Sequence, residues 1–110
     1  MIVNPAVLES YKSVNVQFSQ CENSIFKLTA NRAATVADAN PKRAYAAFIN
    51  NSGADITLIL GETTDRVSGK GIILKPSGSF EITQLNLFVG KISAISVVDT
   101  TLSFVECFFQ

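Results

Sequence analysis

The chain reads as an all-β protein: an antiparallel β-sandwich, or a barrel-like variant of one, of about eight short strands with an N-terminal arm or short helix. Three observations predict this. Apolar residues alternate with polar ones in residues 13–20, 55–58 and 101–104, which is the period of a pleated strand rather than a helix. Asn50-Asn51-Ser52-Gly53, Gly69-Lys70-Gly71 and Pro76-Ser77-Gly78 cut the apolar runs apart, as tight turns require. The close spacing of many such segments fits a sandwich or a barrel.

Residues 1–12 read as an arm and residues 13–110 as the sandwich domain. Asn4-Pro5 is a helix-start signal, Asn as cap and Pro at the first position. Two turns could follow over residues 6–10, though a helix this short needs something to pack against; an extended arm is the alternative. In residues 13–20, Val14, Val16 and Phe18 face one way and Asn15, Gln17 and Ser19 the other. Residues 25–29 form a second short strand with Phe26 and Leu28 inward. Residues 30–42 contain five alanines, which favour helix, and Asn40-Pro41 ends whatever precedes it. A loop or one helical turn is expected there.

From Arg43 the strands come quickly. Residues 43–50 form one, turned by residues 51–54. Residues 55–60 form the next, with Ile56, Leu58 and Leu60 on one face. Residues 61–68 are a polar loop. Residues 71–74 and 79–83 flank the Lys75-Pro76-Ser77-Gly78 turn. Strands are expected at 84–89 and 91–98, and Asp99-Thr100 turns the chain into a last strand at 101–109. Alternation nominates Val14, Val16, Phe18, Phe26, Phe48, Ile56, Leu58, Leu74, Phe80, Ile82, Leu87, Ile92, Ile95, Leu102 and Phe104 as core. Each contributes about 1.5–3 kcal/mol when fully buried, largely offset by chain ordering. Ile92 and Ile95 are three apart, so a bulge lies between them or one of them faces out.

A chain of 110 residues makes one domain, or one domain with an arm. Apolar residues are 47% and charged ones 16%. Charge this sparse suits a surface partly covered by other molecules, or a dense β core under a Ser/Thr/Asn surface. Nine basic residues balance nine acidic ones, so long-range steering toward nucleic acid is not expected. Lys42 and Arg43 are adjacent and read as a solvated pair. The start lacks a basic leader with an unbroken apolar run, and no apolar stretch approaches the roughly 20 residues that span a bilayer. Cytoplasmic synthesis and assembly are therefore expected, with no membrane partner. Cys21 and Cys107 are the two cysteines. In a reducing compartment they read as free, buried thiols; a disulfide between them would join the two ends of the fold.

The sequence contains no His, which removes the usual general base and the commonest metal ligand. Two cysteines without His do not make an ordinary zinc site, and Ser-His-Asp or Cys-His arrangements cannot form within the chain. The stretch Gly61 to Gly71 invites a phosphate-loop reading, but Thr64 stands where the first Gly belongs and Lys70 is followed by Gly. Glu62 and Asp65 offer too few oxygen ligands for calcium. Asn50-Asn51-Ser52 matches a glycan acceptor but reads as a turn. No catalytic residue, metal or cofactor is expected, and the chain does not read as an enzyme. Phe108 and Phe109 are more informative. Neighbours on one strand point to opposite faces, so one of the two rings is exposed or covered by another molecule, as at a subunit contact.

Residues 43–106 resemble a small β-sandwich module of tailed-bacteriophage virion proteins. The pattern opens with a basic residue before an alternating strand that runs into Asn and a Ser/Gly turn, here Arg43 to Gly53. A strand ending in Gly follows, Ile56 to Gly61. Next comes Gly-Ile-x-Leu-x-Pro-x-Gly-Ser-x-Glu, here Gly71 to Glu81. Gly-x-Ile-x-Ala-Ile, Gly90 to Ile95, precedes a closing strand ending in Glu, Leu102 to Glu106. Residues 1–40 are not part of the pattern. The resemblance implies a virion component, and a lone small domain with an arm suits a capsid cement or decoration protein. Its partners would be the major capsid protein and further copies of itself. Its location would be the capsid surface, after assembly in the bacterial host cytoplasm. Pro5, Val7, Leu8, Tyr11, Phe108 and Phe109 are the expected interface residues. The alternative is a receptor- or carbohydrate-binding module of a tail or fibre, although Trp is absent and Tyr11 and Tyr45 are the sole tyrosines. A small inhibitor or assembly factor outside the virion is the third reading.

Overall fold

The computed structural model describes residues 19–61 and 69–109. The expected arm (1–12), the alternating stretch 13–18 and most of the polar loop at 62–68 lie outside the described residues. Within them the chain is all-β with no helix, and eight strands form two antiparallel sheets of four. The strands are β1 (Gln20–Leu28), β2 (Ala34–Ala37), β3 (Arg43–Asn50), β4 (Ile56–Leu60), β5 (Ile72–Leu74), β6 (Ser79–Ile82), β7 (Ile92–Ile95) and β8 (Thr100–Phe108). The first sheet has the order β1-β8-β3-β6 and the second β2-β7-β4-β5. The two pack as a sandwich.

The core lies between the sheets. Phe48, Ile56, Leu58, Ile82, Ile92 and Leu102 are fully buried, with Leu28, Leu74 and Phe104 beside them. Ala37, Ala46 and Ala94 belong to the same buried cluster. The Phe48 and Phe104 rings stack with centroids 5.0 Å apart, an offset geometry that adds about 0.5–1.5 kcal/mol to their burial. Phe26 and Phe80 are partly buried against this cluster. Ile92 belongs to the cluster, whereas Ile95 lies on the opposite face of β7 and is fully buried too. The β7–β4 pairing runs without a break from Thr57↔Ile95 to Leu60↔Ile92, so no bulge separates the two isoleucines.

Several expectations are corrected. Residues 20–28 are one continuous strand, not the end of one strand and the start of another at 25. Residues 34–37 are a strand, not a loop or helical turn: β2 pairs with β7, with an irregularity between Thr35 and Ala37. A place beside a central strand outweighs the weak helix preference of the alanines. Residues 84–89 are not a strand. The Thr83 and Leu85 amides donate to Asn86 Oδ1 at 2.7 Å and Thr83 Oγ1 at 3.2 Å. These short polar side chains capture backbone groups that a ladder would need. Leu87 is consequently 41% exposed rather than core. Finally, Cys21 and Cys107 are not free thiols. They lie directly opposite one another on β1 and β8 and are joined by a disulfide.

Candidate functional site

The polar residues that matter most to this fold sit at the two ends of β3. Arg43 was expected to be solvated and is instead fully buried. The cause is local. The β3–β8 register shifts between Arg43 and Tyr45, so Arg43 pairs with Phe108 and Tyr45 with Cys107. The extra residue, Ala44, turns Arg43 away from the outward face of Tyr45, Ala47 and Ile49 into the space between the sheets. There Nε donates to Glu106 Oε2 at 2.7 Å. One terminal nitrogen donates to the carbonyls of Phe88 (3.0 Å) and Gly90 (2.9 Å), the other to that of Asp38 (2.6 Å). The guanidinium thus ties β8 of the first sheet to the chain leaving β2 and entering β7 of the second.

Asn50 does the same work at the far end of β3. It is fully buried. Its Nδ2 donates to the carbonyls of Ala54 (2.7 Å) and Leu74 (2.8 Å), and its Oδ1 accepts from the Ser52 amide (2.9 Å) and hydroxyl (2.6 Å). Its backbone bonds Ser77 and Gly78 in the β5–β6 turn. One side chain therefore shapes the turn after β3 and links it to β5 in the other sheet.

Of the residues expected at an interface, Pro5, Val7, Leu8 and Tyr11 lie outside the described residues. Phe108 and Phe109 are both half-buried at the end of β8. The Phe109 amide donates to the Lys42 carbonyl at 2.7 Å. Together with Gln20, Glu22, Asn40 and Lys42 the two rings line an open concavity of about 610 Å³. Its walls mix aromatic rings with amides and one charge of each sign. That suits contact with a surface better than enclosure of a small molecule, which wants a deep and mostly apolar cleft.

The outward face of the first sheet carries two exposed isoleucines, Ile25 and Ile49. Ile25 is 69% exposed, and the register runs Ile25–Ser103–Ile49–Ser79 across all four strands. Beside this row Tyr45 donates its hydroxyl to Glu81 Oε2 at 2.6 Å. That hydrogen bond, with partial burial and the carboxylate charge, raises the tyrosine pKa above its ordinary value. Leu85, Val97 and Val98 are exposed on the turns at either end of the sandwich. Sequence reasoning missed Arg43, Asn50 and Glu106 as buried residues. The available signal was their place at strand ends, where a buried polar group can reach carbonyls released by the turns.

Among the described residues no group of three or more His, Cys, Asp or Glu is placed to hold a metal ion, and no helix is long and apolar enough to cross a membrane. No family model, no curated protein and no solved structure matches this chain.

Proposed function

We propose that this chain is a structural virion protein of a tailed bacteriophage, a cement or decoration protein that binds the major capsid lattice and strengthens it. The observation that carries the reading is the ordered pattern of residues 43–106. Its polar positions are working parts of the fold: Arg43 opens it and Glu106 closes it, and the two meet as a buried ion pair. Asn50 anchors the turn that the pattern calls for, and Glu81 holds Tyr45. A pattern whose scattered positions converge in space fits an inherited module better than chance alternation. Function still belongs to surfaces rather than folds, and the surface that favours adhesion is the concavity of Phe108 and Phe109.

Such a role is adhesive rather than catalytic. Each copy would bury on the order of 1,200–2,000 Å² against its neighbours, and many weak contacts would act together. A mass-spectrometric census of purified particles tests the reading. Copy numbers on the order of tens to hundreds per particle are the expected result. A handful of copies would move the chain to the tail or neck, and its absence would remove it from the virion. Deleting residues 1–12 should weaken particle binding, and undiminished occupancy would count against the arm as a contact.

A further inference from the structure

Among the described residues four strand edges bound the two sheets, and three are guarded. β5 is three residues long, and β6 and β2 are four. The pairing of β2 is also broken by the irregularity at Thr35 and Ala37. Short or irregular edges are how sheets avoid pairing with strangers. β1 differs. It is nine residues long, pairs with β8 in unbroken register from Gln20↔Phe108 to Leu28↔Thr100, and contains neither Pro nor Gly. Among the described residues it has no second neighbour strand. Residues 20–25 are exposed on both faces, and the most exposed apolar side chain on the strand, Ile25, stands near its middle.

The direction of the free peptide groups follows from the register. Cys21 and Cys107 are opposite one another with Cα atoms 4.0 Å apart. That close spacing marks a non-hydrogen-bonded pair, in which both residues turn their N–H and C=O away from each other's strand. Alternation then aims the peptide groups of Asn23, Ile25 and Lys27 at the open edge. We propose that this edge pairs with the same edge of a second copy, β1 against β1 in antiparallel register about a two-fold axis through Ile25, giving one continuous eight-stranded sheet.

The strand is self-complementary in that register. A two-fold normal to the sheet opposes residues of the same face. Centred on Ile25, it sets the two Ile25 side chains together, Asn23 against Lys27 and Glu22 against Leu28. No like charges meet, which would destabilise the pair. The chain carries no net charge, so two copies approach without long-range repulsion. The inference concerns the isolated chain and stands or falls apart from the virion reading.

Sedimentation equilibrium of the purified full-length chain tests it, over loading concentrations from about 1 µM to about 500 µM. The expected result is a monomer–dimer equilibrium. Ile25→Lys, a charge on an already exposed position, should weaken dimerisation at least about tenfold while leaving the circular-dichroism spectrum and melting temperature unchanged. Ile25→Pro, which removes the outward N–H where an edge tolerates proline, should do the same. Leu85→Lys, at an exposed turn beside β6 on the opposite edge of the sheet, should leave the dimer intact. A monomer at every concentration, a trimer, a dimer indifferent to Ile25→Lys, or equal sensitivity to Leu85→Lys would each overturn the proposal.

Discussion

Arg43 Nε lies 2.7 Å from Glu106 Oε2, and the pair joins two strands at positions 63 residues apart. Arg43 is fully enclosed, while the Glu106 side chain keeps 11% of its surface. Buried pairs of this kind add little net stability compared with a well-packed apolar pair, but breaking one is costly. Arg43→Met strands a carboxylate and three carbonyls, and should destabilise the fold by about 3–5 kcal/mol in urea denaturation. Glu106→Gln leaves the carbonyl partners in place and should cost less, about 1–3 kcal/mol. The reverse order would mean that the three carbonyl contacts contribute little.

Asn50 offers a cleaner test of donor direction. Asn50→Asp keeps the shape but replaces a donor to Ala54 and Leu74 with an oxygen facing two carbonyls. It should be at least as damaging as Asn50→Ala, which is expected to cost about 1–3 kcal/mol for the groups left unpaired. Thermal melts of the two variants decide the order.

The Cys21–Cys107 bond closes a span of 86 residues. Oxidised protein should resist alkylation until reduced. Reduction, or Cys21→Ser, should lower the unfolding free energy by about 2–4 kcal/mol, because a long loop regains its freedom in the unfolded chain. Equal urea midpoints with and without reductant would refute the stabilising role.

Tyr45 should titrate above its ordinary value of 10.0, chiefly because its hydroxyl donates to the Glu81 carboxylate. The folded state then holds the phenolic proton more tightly than the unfolded one. Its stabilising contribution is complete below about pH 10 and is lost as pH rises through the higher folded value. Phenolate absorbance in a Tyr11→Phe background follows this one group. Glu81→Gln removes the carboxylate charge and should shift the titration downward; an unchanged curve would mean the hydrogen bond is not formed in solution.

Gly71 is required for a steric reason. A Cβ there would stand 2.3 Å from the Leu58 carbonyl oxygen of the paired strand β4, and backbone cannot yield as a flexible side chain can. Gly71→Ala should open the β4–β5 hairpin and cost more than the roughly 1 kcal/mol typical of a point substitution. Gly53→Ala, where nothing lies within 4 Å, is the control.

Period two made β3, β4 and β8 legible, because their inner and outer faces differ. It failed where a local device overrode it. Ala44 adds one residue to β3, so strict alternation would set Arg43 with the outward Tyr45, and nothing in the sequence marks it as the most important buried side chain. The alanines around Thr35 and Val36 obscured a strand that exists because β7 offers it a ladder. The Thr83–Asn86 hydrogen bonds made a turn of a segment whose apolar residues alternate like a strand. The two cysteines could not be paired from spacing alone, since the pairing depends on the β1–β8 register. Of the expected contact residues, Phe108 and Phe109 do share one concave surface. What fills that surface was not legible, because a sequence records one side of a contact.

The disulfide also has a mechanical consequence. It lies at the margin of the body, between the first described strand and the last. A pull applied before Cys21 and after Cys107 would pass from strand to strand through two sulfur atoms, and the 85 residues between them would carry almost no tension. The sandwich could be tugged by both tails without any strand being unzipped, as a shackle takes a load that never enters the parcel beside it.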